Sequence, residues 1–133
     1  MIPLNYEGVV LFQLAGNDCS ELDSETIINS YENLLDHVRL RAPKCNIIVS
    51  AIPPRRGTQY LAYKIGRVND FLHCYALQDN SVTYLECPLY SATRHFRQDG
   101  VHFNEFGRTL YCSNIQRTFT QIFQHSVRSI VGT

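Results

Sequence analysis

Two polar segments hold the residues whose types and spacing could do chemistry, and the first is "DGVH" at residues 99–102. A carboxylate at Asp99 can accept the Nδ1–H of His102, fix the tautomer of the ring and stabilise the imidazolium. The other ring nitrogen is then free to take a proton, as a general base must. A plain Asp-Gly turn before a helix explains the same residues. The spacing alone leaves both interpretations open.

The second segment is "AGND" at residues 15–18, directly after the apolar run "VVLFQL". The side-chain amide of Asn17 can point at an oxygen that becomes negative during a reaction, and such a donor lowers the barrier by roughly 3 to 4 kcal/mol. Gly16 and Asp18 would support it, with Asp18 capping the short turn that holds Asn17. Taken by itself, this segment is explained more simply as an Asx-rich connecting turn.

Strand and helix patterns alternate along the chain and must position these two segments. Apolar runs predict strands over 9–14, 46–52 and 81–87, and helical periodicity predicts helices from Asp23 or Ser24 to Pro43, over 58–77, and from near Asn104. In the last helix the pattern predicts an apolar inner face, made of Leu110, Tyr111, Ile115, Phe119, Ile122 and Phe123. Such alternation predicts an α/β fold, a three-layer sandwich whose parallel sheet has helices on both faces. Because ligands bind beyond the carboxyl ends of such strands, both polar segments are expected at the same edge.

Composition restricts the class of protein. The 133 residues are expected to form one domain. The 12 basic and 12 acidic side chains cancel, so no global electrostatic field draws the chain to nucleic acid or anionic lipid. No apolar run is long enough to span a membrane, and no signal peptide precedes the first strand. Five scattered cysteines without a C-x-x-C pair predict reduced thiols and no zinc site. We therefore expect an intracellular, cytoplasmic protein without a metal or organic cofactor.

Together the two segments resemble the SGNH or GDSL-type hydrolases. "VVLFQLAGND" is similar to the third block of that family, a strand ending in G-x-N-D, with Ala15 where a glycine usually stands. "DGVHFNEFG" is similar to the fifth block, and "LRAPKCNIIVSAIPPRRG" resembles the strand and proline-rich loop between them. Similar stretches occur in the esterase-like domains of some retrotransposon proteins.

This resemblance implies an SGNH-hydrolase or flavodoxin-like fold over residues 1–133, as a single domain that lacks the first strands. It implies that His102 is the general base, Asp99 its orienting partner and Asn17 an oxyanion-hole donor, acting on a small-molecule or lipid ester. The family's nucleophile is a serine in a Gly-Asp-Ser block, and a second-block glycine completes the oxyanion hole. Neither block occurs in this sequence. We therefore expect little or no triad chemistry from the chain alone.

Three hypotheses follow from the absence of the two family blocks from this sequence. The chain could be part of an active esterase, or a degenerate non-catalytic module whose exposed sheet edge is covered by a partner or a second copy. A metal-dependent phosphoesterase using Asp18, Asp99 and His102 would need more ligands than the sequence supplies.

Other residues could take part in catalysis, each with a simpler structural explanation. Cys19 and Ser20 follow "GND" as alternative nucleophiles, and His95 is a rival base without an aspartate at matching spacing. Ser50 and Ser91 are interpreted as structural. Arg55 and Arg56 could bind an anionic substrate, but an exposed loop pair is the simpler interpretation.

Overall fold

The computed structural model describes residues 2–14, 18–86 and 94–131, with side chains described up to residue 124. The elements are β1 (Val9–Phe12), α1 (Asp18–Glu21), α2 (Ser24–Arg41), β2 (Asn46–Ser50), α3 (Gln59–Gln78), β3 (Val82–Leu85) and α4 (Glu105–Val131). They are divided between two compact units, Met1–Pro88 and Leu89–Thr133.

The first unit is built on a parallel three-stranded sheet in the order β1-β2-β3. Val9 lies opposite Asn46, and Ile47 lies opposite Val82. All residues of β2 after Asn46 are buried, as expected for the unbroken apolar run of a central parallel strand. The predicted α/β class and the parallel sheet are confirmed.

Both crossover helices pack on the same face of this sheet. Ile47 and Val49 of β2 share one core cluster with side chains from both helices, namely Ile27, Tyr31, Leu35 and Val38 of α2 and Ile65, Val68 and Leu72 of α3. This arrangement is expected because the chain steps in one direction across the sheet and each parallel crossover is right-handed. Residues of alternating register, such as Val9, Leu11 and Ile48, belong to the opposite face.

Local hydrogen bonds set the ends of these elements. Asp23 is the N-cap of α2, where its Oδ1 accepts the amide of Thr26 at 2.8 Å, and Thr58 caps α3 in the same way. Strand β1 is two residues shorter than predicted. The carbonyl of Leu14 accepts a hydrogen bond from the Tyr31 hydroxyl at 3.2 Å instead of joining the ladder.

Arg39 joins three segments at the amino-terminal end of the sheet. Its guanidinium donates to the carboxylate of Asp79 (3.2 Å), to the carbonyl of Cys45 (2.6 Å) and to the hydroxyl of Ser81. The network ties the end of α2 to the starts of β2 and β3, and so it fixes the strands that lead toward the opposite, carboxyl-terminal edge.

The second unit holds α4 and the segment before it, and within that segment Phe96 and Phe103 form an isolated antiparallel bridge. Phe103 packs its ring against Phe96 and Tyr111, with centroid distances of 5.2 and 5.8 Å. The predicted inner face of α4 is partly wrong. Phe119 and Phe123 are 40% and 69% exposed, whereas Thr118 is buried. Thr118 can be buried because its hydroxyl donates to the carbonyl of Asn114 (3.0 Å).

Two further expectations concern the membrane and the cysteines. Among the described residues no helix is both long and apolar enough to cross a bilayer. Cys19 and Cys45 are buried free thiols, and Cys74 and Cys112 are exposed free thiols. Cys87 lies outside the described residues.

Candidate active site

His102 and Asp99 form a hydrogen-bonded pair in the second unit. The distance from Nδ1 of His102 to Oδ2 of Asp99 is 2.6 Å. The bond requires a proton on Nδ1, since the carboxylate can only accept, and therefore leaves Nε2 of the neutral ring as a proton acceptor. Nε2 has no hydrogen-bond partner among the described residues, and the His102 side chain is 70% exposed. This geometry is the one that a general base requires.

The other oxygen of Asp99 forms the turn. Oδ1 accepts the amides of Val101 (2.9 Å) and His102 (3.0 Å), and Gly100 adopts a left-handed conformation with φ of 69°. The hydrogen bond from the His102 ring and these two amides hold the pKa of Asp99 well below its usual range. The carboxylate is thus kept ionised, which stabilises positive charge on the ring.

The start of α4 fixes this turn from the other side. Asn104 is placed at the N-cap, where its Oδ1 accepts the amide of Gly107 (2.9 Å) and its Nδ2 donates to the carbonyl of Arg94 (2.8 Å). Its own amide donates to the carbonyl of His95 (3.0 Å). A Cβ at Gly107 would lie 2.1 Å from that carbonyl oxygen, so only glycine allows the helix to approach so closely. The segment "HFNEFG" therefore holds the His102 turn in place.

The segment with the predicted oxyanion donor is only partly described. Gly16 and Asn17 lie outside the described residues, together with Ala15. Asp18 is exposed and begins α1, and its carbonyl accepts the amide of Leu22 at 2.8 Å. The catalytic role of Asn17 and the supporting roles of Gly16 and Asp18 stay predictions, as do the roles of Asp99 and His102.

Two residues of α3 hold the first unit at the edge where its strands end, and the sequence did not indicate either of them. Lys64 is buried and donates from Nζ to the carbonyl of Leu22 (3.0 Å), which ties α1 to α3. Asn69 accepts the amide of Ile52 (2.8 Å) and donates to the carbonyl of the same residue (3.1 Å). These contacts span 42 and 17 residues, so no local spacing could have predicted them.

The alternative nucleophiles are held in structural positions. Cys19 is fully buried, and this burial raises the pKa of its thiol although the charges of Lys64 and Arg55 act in the opposite direction. A thiol with a raised pKa is a poor nucleophile near neutral pH. Ser50 is buried within β2, and its hydroxyl donates to the carbonyl of Ala51 (3.3 Å). Ser91 lies outside the described residues.

The remaining candidates differ in exposure. His95 is half-buried beside the Phe96–Phe103 bridge, Arg55 is half-buried and Arg56 is exposed.

Within the described ranges, no three or more His, Cys, Asp or Glu side chains are grouped closely enough to hold a metal ion.

No protein-family model and no curated protein matches the chain in sequence. Its fold is nevertheless similar to solved structures of esterases. An acetyl esterase mutant with an acetate ion is 25% identical, with a TM-score of 0.74, over 88% of this chain and 59% of that one. A family 3 carbohydrate esterase from Talaromyces cellulolyticus is 21% identical, with a TM-score of 0.71, over 90% and 59% of the two chains.

A third structure extends the same likeness. An active-site mutant of a family two carbohydrate esterase from Clostridium thermocellum is 22% identical, with a TM-score of 0.65, over 85% of this chain and 35% of that one. The chain therefore has the flavodoxin-like α/β fold of SGNH-type esterases. It spans 59% of the length of the first two structures.

Proposed function

We propose that the chain carries the general-base part of an SGNH-type ester hydrolase site. In this proposal His102 is the base, Asp99 orients it and Asn17 donates to the oxyanion, with Gly16 and Asp18 in support. The observation that carries the proposal is the 2.6 Å bond between Asp99 and Nδ1 of His102, which leaves Nε2 without a partner among the described residues. The likeness to an acetyl esterase supports a carboxylic ester as substrate.

The steps follow from this arrangement. Nε2 of His102 takes the proton from the attacking hydroxyl, whose oxygen forms a bond to the ester carbonyl carbon. The carbonyl oxygen becomes negative and receives the amide hydrogen bond of Asn17. The imidazolium, stabilised by Asp99, then gives its proton to the leaving alkoxide as the carbon–oxygen bond breaks. The sequence contains no Gly-Asp-Ser block, so the hydroxyl comes from water or from a serine outside this sequence.

Hydrolysis of p-nitrophenyl acetate by the chain as it stands tests the proposal. We expect a slow rate that falls to the buffer background in His102→Ala and falls in Asn17→Ala. His73→Ala is the matched control, because His73 is also exposed but stacks on Tyr84 in the first unit. Equal losses in the two histidine variants would mean that surface imidazole, and not a site, cleaves the ester.

A serine-reactive fluorophosphonate tests the missing nucleophile separately. We expect no labelling of the chain, because its sequence lacks the nucleophile block. Strong labelling that disappears in His102→Ala would show that a nucleophile is present after all and would overturn this part of the proposal.

A non-catalytic interaction module is the second candidate, and β1 is the observation that favours it. Among the described strands β1 pairs only with β2, so its other edge presents unpaired backbone groups next to half-buried apolar side chains. Such edges pair with a further strand, from a partner or a second copy. Light scattering across a dilution series tests this candidate. A monomer that melts sharply and cooperatively when dilute would count against it.

A further inference from the structure

Arg97 lies opposite His102 in the turn that carries the candidate base. The amide of Arg97 donates to the carbonyl of His102 (2.8 Å), and its carbonyl accepts the amide of Gly100 (2.9 Å). The next pair of residues beyond this turn is the bridge between Phe96 and Phe103. Both backbone groups of Arg97 therefore bond within the turn that holds His102, which fixes the backbone of Arg97 relative to the base.

The side chains next to this bridge divide between two faces. Neighbouring residues of an extended segment point to opposite sides, and residues directly opposite each other share a side. Phe96 and Phe103 bring their rings into contact on one side, and Phe96 is only 7% exposed. Arg97 and His102 come next toward the turn, and both are exposed. They therefore share the other side, and in a cross-strand pair of this kind the Cα atoms are about 5.5 Å apart.

The guanidinium of Arg97 has no hydrogen bond or ion pair to another side chain in the described part of the chain. Arg39, by contrast, pairs with Asp79 at 3.2 Å. Asp99 is the acidic side chain nearest to Arg97 in the sequence, but its two oxygens accept hydrogen bonds from the ring of His102 and from the turn amides. The positive charge of Arg97 is thus not matched by a bonded carboxylate.

The orientation of the His102 ring separates the carboxylate of Asp99 from the place where a substrate reacts. Nδ1 faces that carboxylate at 2.6 Å, so Nε2 lies on the far side of the ring. An ester that reacts at Nε2 is therefore shielded from Asp99 by the imidazole. A guanidinium binds a carboxylate or a phosphate through two parallel N–H donors. On the shared side of the turn, Arg97 is placed to bind such a group several bonds away from the ester carbonyl.

We propose that Arg97 binds an anionic group of the substrate, so that this site prefers esters that also carry a carboxylate or a phosphate. This proposal rests on the proposed function, since it names the substrate class of the same site. Arg97 is then a residue that determines specificity. It contacts the substrate away from the bond that breaks, and it transfers no proton.

A matched pair of esters tests this preference by hydrolysis. 4-Acetoxybenzoate carries a carboxylate across one aromatic ring from the ester, and methyl 4-acetoxybenzoate is its neutral counterpart. Each kcat/KM is divided by the rate constant of the same ester with free imidazole, which removes the difference in leaving group. We expect the anionic ester to be preferred about threefold to tenfold, as for an exposed charge-assisted contact. In 1 M NaCl, where the screening length is about 3 Å, the preference should disappear.

Arg97→Gln tests the residue, because glutamine keeps a polar side chain but removes the charge. Arg117→Gln is the matched control, since Arg117 is an exposed arginine of α4 and its substitution changes the net charge equally. We expect the preference to fall to about one in Arg97→Gln and to keep its wild-type value in Arg117→Gln. A wild-type protein without any preference, a preference that survives in Arg97→Gln, or equal losses in the two variants would each overturn the proposal.

Anion binding followed by NMR tests the same contact without turnover. Benzoate and phenyl phosphate are expected to shift the Nε–Hε signal of Arg97 and the ring signals of His102 in a saturable way, whereas neutral benzamide should not. The more tightly bound anion identifies the group as a carboxylate or a phosphate. In Arg97→Gln the shifts at His102 should require at least threefold more anion. Equal shifts with benzamide, or none with either anion, would refute the contact.

The two measurements separate this proposal from the proposed function. Saturable anion shifts without any His102-dependent hydrolysis would support the anion site and reject the catalytic proposal. His102-dependent hydrolysis with neither a preference nor anion shifts would reject the role of Arg97 and leave the general base intact.

Discussion

Asn69→Leu should destabilise the first unit more than any surface asparagine substitution. The amide and the carbonyl of Ile52 both bond to the Asn69 side chain, at 2.8 and 3.1 Å, and Ile52 is buried. Pro53 and Pro54 follow Ile52 and lack amide donors, so the side chain of Asn69 takes over where the ladder of β2 stops. Leucine fills similar space but satisfies neither group.

The magnitude follows from the two lost partners. Each buried group left without a partner costs about 1 to 3 kcal/mol. Because Asn69 is itself only half-buried, water can reach part of the site, and we expect a total loss of about 2 to 4 kcal/mol. That is a large share of the roughly 5 to 15 kcal/mol that stabilises an ordinary domain.

Urea unfolding followed by far-UV circular dichroism measures this loss. Asn29→Leu is the matched control, because Asn29 is exposed on α2, and its effect should stay within about 0.5 kcal/mol. If the two variants unfold at the same urea concentration and with the same dependence of the unfolding free energy on urea, the two hydrogen bonds between Asn69 and Ile52 do not stabilise the protein. The reasoning is then refuted.

Three further predictions concern the support of the site and its ionisable groups. Gly107→Ala should lower the free energy of unfolding by about 1 to 3 kcal/mol in thermal melts, whereas Gly66→Ala, with open space around it on α3, should raise it by roughly 0.5 to 1 kcal/mol. The lowered pKa of Asp99 makes a contribution to stability that is complete above its unfolded value of about 3.9 and is lost as the pH falls toward the folded pKa. The stability difference between the wild type and Asp99→Asn should therefore shrink in acidic melts, as the pH falls below about 4. Iodoacetamide should alkylate the exposed Cys112 much faster than Cys19, whose thiol pKa is raised by burial; rapid modification of Cys19 in the folded protein would contradict this.

The sequence predicted the elements well wherever the signal was local. Asp23 caps α2 as expected, because a side chain three residues from the amide that it bonds is visible in the sequence. The apolar run of β2 predicted a buried strand for the same reason. Phe119 and Phe123 were assigned wrongly to the inner face of α4, because apolar type alone does not decide which side of a helix is buried.

Long-range contacts explain what the sequence could not reveal at the candidate site. Lys64 donates a hydrogen bond to the carbonyl of Leu22, and Tyr31 donates one to the carbonyl of Leu14. No sequence pattern indicates which backbone carbonyl each side chain will bind. By contrast, Asp99 and His102 are three residues apart, so their pairing could be predicted as one of two possible interpretations.

The two interpretations of Asp99, as a turn residue and as the carboxylate that orients His102, are compatible because the carboxylate has two oxygens. Oδ1 accepts the turn amides while Oδ2 accepts the ring proton of His102. Asp99→Asn separates the two functions, since the amide oxygen can still accept the turn amides but the NH2 group cannot accept Nδ1–H. The ring must then carry its proton on Nε2, which removes the base. We expect Asp99→Asn at neutral pH to keep the turn and lose His102-dependent hydrolysis, whereas Asp99→Ala loses both. If Asp99→Asn hydrolysed the ester as fast as the wild type, the carboxylate would be a turn residue and nothing more.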